Sequence, residues 1–147
     1  MSDVTQPRLH HLAITVTDLD ASVRWYESVF DVHPILDIPH TGGIGRILAG
    51  SDRQLMFALH RHDANEGGLF SETATGLDHG GLAVPTRQDL ELWQDHLEAN
   101  GVVRADAADK PLTQSPIADE SYASVLVFRD PDNIQLELFA PAPQQQE

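Results

Sequence analysis

Hydrophobic and polar positions alternate near the start of the chain. In His11-Leu12-Ala13-Ile14-Thr15-Val16, the apolar Leu12, Ile14 and Val16 share one face of an extended segment, and His11, Ala13 and Thr15 share the other. This predicts a strand over 8–16. Val23, Tyr26 and Phe30, flanked by Trp25 and Val29, then recur at the spacing of an amphipathic helix. Asp18 and Asp20 are placed to cap its first turn, and Pro34 is expected to end it. Three short strands are predicted next, over 35–38, 45–49 and 54–60, with turns at Gly42-Gly43 and Gly50-Ser51-Asp52. Residues 61–77 are polar and aperiodic, a connector long enough to serve as a lid or as a hinge for exchange of halves between subunits.

The pattern then restarts. His79 set over His11 brings Val84 over Val16 and Trp93 over Trp25, one constant offset of 68 residues, which marks an internal duplication. Parity repeats as well, with Leu82 and Val84 on one face and His79, Gly81 and Ala83 on the other. Thr86 and Asp89 form a capping box for a second helix with the stripe Leu90, Trp93 and Leu97, and Asn100-Gly101 supplies its left-handed stop. A weak strand over 102–105, a proline-containing excursion over 110–122 and a strand over 124–128 lead to the turn Asp130-Pro131-Asp132-Asn133 and a last strand over 134–139. The fold class predicted is α+β, a tandem pair of βαβββ modules over 8–62 and 76–140. Together they make one domain over 8–140, with flexible termini at 1–7 and 141–147.

Composition narrows the function. Nine Lys and Arg against 23 Asp and Glu give a formal net charge of −14, which disfavours nucleic acid and anionic membranes as partners and favours a small molecule. No stretch approaches the roughly 18 apolar residues of a spanning helix. No signal-peptide core is visible at the start, and the absence of cysteine fits a cytoplasmic protein.

The candidate chemistry lies on the face away from the helices. On the last strand Ile134, Leu136 and Leu138 take the apolar side, which turns Gln135, Glu137 and Phe139 toward the side of His11 and His79. A buried carboxylate needs a counter-charge, and two neutral imidazoles with one carboxylate are a common set of ligands for a divalent metal. His33, His40, His62 and His96 read as surface residues, and His10 as helix-facing. Asp130 and Asp132 read as turn residues, Trp25 and Trp93 as core, and Tyr122 as a loop residue.

Taken together, the paired modules, His11 in His-x-x-x-x-Val-x-Asp, His79 in His-x-x-x-x-Val, and Glu137 after Asp-Pro-Asp-Asn resemble the vicinal oxygen chelate superfamily. That group includes glyoxalase I, extradiol dioxygenases, methylmalonyl-CoA epimerase, and the fosfomycin and bleomycin resistance proteins. The resemblance spans 8–140. It implies a cupped, eight-stranded mixed sheet around a divalent ion (Fe, Mn, Ni or Zn) held by His11, His79 and Glu137, with Glu137 also counted as catalytic. The substrate would be a small molecule with adjacent oxygens, and the activity a glyoxalase-like lyase or isomerase or an extradiol-type dioxygenase. A non-catalytic small-molecule binding or resistance protein is the alternative.

Two departures from the family pattern matter. Glyoxalase I and the epimerase use a fourth ligand on the last strand of the first module, where this chain offers only Met56, Ala58 and His60 to the cup. His60 is therefore a candidate substitute ligand or acid–base group. Val127 stands where the dioxygenases place an active-site tyrosine, and residues 114–120 hold no histidine. Sheet edges left by such modules invite pairing with a second chain, so a homodimer is expected, with the site built within one chain or shared across the interface.

Overall fold

The computed structural model describes residues 3–143; residues 1, 2 and 144–147, part of the termini expected to be flexible, lie outside that range. Two compact units divide after Asn65.

In the first unit, β1 (Leu12–Thr15) leads to α1 (Leu19–Phe30), then β2 (His33–His40), β3 (Gly43–Ala49) and β4 (Met56–His62). The sheet order is β1-β4-β3-β2, mixed because β1 runs parallel to β4 while β2, β3 and β4 form an antiparallel meander. The Asp18 carboxylate caps α1 by accepting from the Ala21 amide at 3.0 Å. The helix ends at Asp31 in a left-handed conformation (φ 52°), before Pro34 is reached. Pro34 instead sits inside β2 beside a register shift. It is tolerated because β2 is an edge strand, where a missing N–H costs no ladder bond. The face of α1 that carries Tyr26 and Phe30 packs on β4: Tyr26 and Phe57 are fully buried with ring centroids 4.9 Å apart, and Phe30 lies 5.0 Å from Phe57. Full burial of one such aromatic is worth about 1.5–3 kcal/mol.

The second unit repeats the plan: β5 (Gly80–Ala83), α2 (Arg87–Ala99), β6 (Val103–Arg104), β7 (Thr113–Gln114), β8 (Ala118–Asp119), β9 (Ala123–Arg129) and β10 (Gln135–Pro141). Its sheet order is β5-β10-β9-β7-β6, with β8 also paired to β9, and β5 runs parallel to β10 as β1 does to β4. The Thr86–Asp89 capping box is formed, and Gly101 supplies the positive φ of 82° after α2. The α+β class and the tandem modules are as expected. The strand count is corrected from eight to ten among the described residues, because the 110–122 excursion supplies the two-residue strands β7 and β8.

The expected connector is not a free hinge along its length. Phe70 donates its amide to the Asp132 carbonyl at 2.9 Å, Asn133 Nδ2 donates to the Phe70 carbonyl at 3.1 Å, and Arg129 holds Glu72 through two bonds of 2.9 Å. Arg129 is buried and also donates to the carbonyls of Ala108 (2.7 Å) and Asn133 (3.2 Å). The Arg129 guanidinium holds the Glu72 carboxyl down at a pKa of about 2. No helix among the described residues is long and apolar enough to cross a membrane.

Candidate metal centre

His79 is the residue immediately before β5, and Glu137 lies on the neighbouring β10, where its Cα pairs with Gly81. Strand parity explains the aim of Glu137: Leu136 and Leu138 are buried on the helix side, and Glu137 projects from the other, with its side chain about one-fifth exposed (21%). Gly81 keeps the adjacent surface open, since a Cβ there would meet nothing within 4 Å. Asp78 Oδ1 lies 2.7 Å from His79 Nδ1 and accepts a second bond from Gln135 Nε2 at 3.3 Å. With Nδ1–H donating to that carboxylate, the lone pair of the neutral ring sits on Nε2, which faces Glu137 Oε2 at 3.8 Å. That separation is too long for a hydrogen bond. It is close to the roughly 3–3.5 Å between two donors that share an ion at about 2.0–2.2 Å each.

In the first unit His11 occupies the matching place, immediately before β1. Its Nδ1 lies 2.9 Å from Nδ1 of His10, an imidazole at the position that Asp78 takes beside His79. His10 is exposed rather than helix-facing, because the strand starts only at Leu12 and its alternation does not extend back. Ala13 pairs with Ala58 as Gly81 pairs with Glu137, which puts Ala58 at the position equivalent to the carboxylate. Beside His10, a cleft of about 530 Å³ is lined by Arg8, Leu9, Arg53, Gln54 and Met56.

His60 follows two residues after Ala58, opposite Thr15. Its ring neighbours are His40 and His62, with centroids 5.6 and 6.1 Å away. Burial, reinforced by His40, His62 and His11, pushes the His60 pKa down and favours the neutral ring.

The structure thus brings His79 and Glu137 together, places His11 in the first unit, and gathers His60 with His40 and His62. Among the described residues no three His, Asp or Glu side chains already stand around one point in ligating geometry. Sequence reasoning misses Asp78 and Gln135, which orient His79, because hydrogen-bonded support of a ligand leaves no spacing signature. It also takes His40 and His62 for isolated surface residues, although His60-x-His62 has the parity of one strand face. Trp25 and Trp93 are half-buried rather than core. Asp130 is structural as expected: it is fully buried, and its Oδ1 accepts from the amides of Asp132 and Ile134 at 2.8 Å each. Val127 pairs directly with Glu137, and Tyr122 is exposed and stacks 6.4 Å from Phe139.

Comparison with known proteins converges on one group. The profile of the Glyoxalase/Bleomycin resistance protein/Dioxygenase superfamily matches residues 8–138. A glyoxylase/bleomycin resistance protein/dioxygenase domain from Frankia sp. EAN1pec is similar at 27% identity, with 95% of each chain covered and a TM-score of 0.80. A glyoxalase family protein from Enterococcus faecalis matches at 18% identity, covering 90% of this chain and 96% of its own, with a TM-score of 0.68. The fosfomycin resistance protein FosX from Listeria monocytogenes shares the fold at 15% identity. A point mutant of that protein, complexed with Mn(II) and 1S,2S-dihydroxypropylphosphonic acid, aligns over 97% of this chain and 98% of its own, with a TM-score of 0.64. No curated protein matches by sequence.

Proposed function

The chain belongs to the Glyoxalase/Bleomycin resistance protein/Dioxygenase superfamily, and on that footing we propose that it is a divalent-metal-dependent enzyme acting on a small molecule with two adjacent oxygens. The observation that carries this reading is the facing pair His79 Nε2 and Glu137 Oε2 at 3.8 Å, with Nδ1 of the same imidazole tied to Asp78. A carboxylate behind a histidine fixes its tautomer and raises its basicity, which is how metal-ligating imidazoles are usually supported. We assign His11 of the first unit as the third ligand; its Nδ1 lies 2.9 Å from Nδ1 of His10.

When bound, the ion supplies Lewis-acid chemistry at a chelated substrate oxygen. The chain's own residues do the rest. Asp78 and Gln135 hold the His79 ring, and Gly81 leaves the surface beside it open. Glu137 serves as a ligand. His60, the candidate substitute ligand or acid–base group, has His40 and His62 as ring neighbours and His11 among the groups acting on it. β1 and β5 are end strands of their sheets, which supports pairing with a second copy as a homodimer.

Protein purified without chelator or histidine tag should retain an equivalent of Fe, Mn, Ni or Zn that His79→Ala removes while far-UV circular dichroism is unchanged. If the parent carries no such metal, or the variant binds it as the parent does, the reading is wrong. Mixing His11→Ala with Glu137→Ala chains distinguishes the two arrangements: ligands shared between copies restore one intact site per heterodimer, and ligands confined to one chain restore none.

A further inference from the structure

The second cluster lies wholly in the first unit. β4 carries His60 and His62 two residues apart, so both project from the same face, and β2 contributes His40 from across β3. The intervening strand is hollowed to receive them. Gly45 pairs with His60, and a Cβ on it would lie 2.5 Å from His60 Cε1 and 2.8 Å from its Nδ1. Gly43 pairs with both His40 and His62; a Cβ on it would first meet the Arg61 backbone carbonyl and would also lie 2.8 Å from His40 Cε1. A side chain at Gly45 would displace the His60 imidazole, whereas at Gly43 it would collide first with backbone.

The nitrogens are also set. His40 Nδ1 lies 3.2 Å from the Thr41 carbonyl, which accepts only from N–H, so the lone pair of the neutral His40 ring is on Nε2. That Nε2 faces His60 Nδ1 at 3.5 Å, beyond the range of a good hydrogen bond. Two imidazole nitrogens that share an ion at about 2.0–2.1 Å in tetrahedral geometry lie roughly 3.4 Å apart, and their ring centroids about 5.2 Å. The three centroid separations here are 5.3, 5.6 and 6.1 Å. Two donors are therefore in place. The third imidazole, on the exposed His62, has its centroid 5.3 Å from that of His40 but is not yet in ligating geometry, so binding would require it to rotate.

We propose that His40, His60 and His62 form a metal site of the first unit, which binds a late first-row divalent cation such as Zn(II), Co(II) or Ni(II) through three imidazoles. Imidazole suits these ions, and three histidines leave a fourth position for water. The site clamps the edge strand β2 to β4 across β3, so the bound ion stabilises the first unit as well as occupying it.

The test is titration of chelator-stripped, tag-free full-length protein with Zn(II) by calorimetry and with Co(II) by visible spectroscopy. One equivalent should be weakened by at least about 100-fold in His40→Ala and in His62→Ala, beyond the roughly 10–100-fold typical of losing an outer-shell partner. The same equivalent should be unchanged in His79→Ala and Glu137→Gln. Zn(II) should raise the melting temperature of Glu137→Gln but not of the His62→Ala/Glu137→Gln double variant. His62 is exposed, so its variant is expected to fold, and His62→Gln provides a second removal of the ligand. Binding that His40→Ala, His62→Ala and His62→Gln all leave intact overturns the site. Loss of binding in His79→Ala alone overturns it too, while leaving the enzyme reading in place.

Discussion

The two modules share a skeleton and differ in what they hang on it. Each places a histidine immediately before a short strand, runs that strand parallel to the last strand of its module, and supports the imidazole through Nδ1. At equivalent positions the second module has Glu137 where the first has Ala58, Phe139 where the first has His60, and Arg129 where the first has Ala49. The second module is thus built around an acid opposite His79 and a buried arginine. The first has neither and gathers imidazoles instead. Duplication preserved the geometry of the strand pair, which depends on backbone pairing and apolar parity, and left the open face to diverge, because side chains there answer to a ligand rather than to the core.

The largest expected effect tests the arginine. Arg129→Met strips a buried cation from Glu72 and from two carbonyls, and urea unfolding should show a loss of about 3–5 kcal/mol. A loss no larger than an ordinary surface change would mean that Ala49 and Arg129 are equivalent in stability as well as in place. Glu72 adds a pH signature. Its carboxyl is depressed from 4.5 to about 2, so its contribution is present above pH 4.5 and is lost as pH falls from there through 2; Glu72→Gln should flatten that part of the acid-unfolding profile.

Next comes the acid itself. Glu137→Gln should weaken the metal held with His79 by about 100-fold or more, read by calorimetry. The reciprocal change, Ala58→Glu, gives the first module the missing carboxylate. It should cost about 1–3 kcal/mol without metal, because Ala58 is buried, and recover that loss when metal is added. If Ala58→Glu is unaffected by metal, the equivalence read from the strand registers is only topological. Gly45→Ala should weaken Zn(II) at the three imidazoles by about tenfold without touching His79 or Glu137. The smallest effect compares the helices: Thr86→Ala, which breaks a reciprocal capping box, should cost about 1 kcal/mol and Asp18→Ala somewhat less, measured in the same denaturant series.

Much of this comparison was legible in the sequence. Alternation around Leu12–Val16 and Gly80–Val84, the helix stripes, the Thr86–Asp89 box and the Asp130 turn are local signals, and the structure bears them out. Glu137 could be aimed by parity alone, and its nearness to His79 follows from the parallel pairing of β5 and β10. What escaped was set by partners distant in sequence. Pro34 is accepted in a strand because β2 lies at the edge, a fact of sheet order. The ties of Phe70 and Glu72 to 129–133 span about sixty residues and carry no periodicity. The gathering of His40 with His60 and His62 depends on two glycines of the strand between them, and only the register of the meander reveals that they face one another.

The Glu72 clasp bears on where this chain is divided when its halves are made as separate pieces. A repeat boundary drawn from sequence similarity alone would begin the second fragment near Asp78, and such a fragment would bury Arg129 with no acid to receive it. A fragment beginning at Glu66 carries its own counter-ion and the Phe70 strap. Split-protein reassembly or gene fusion should therefore place its junction between Asn65 and Glu66, upstream of the point where the repeat itself begins.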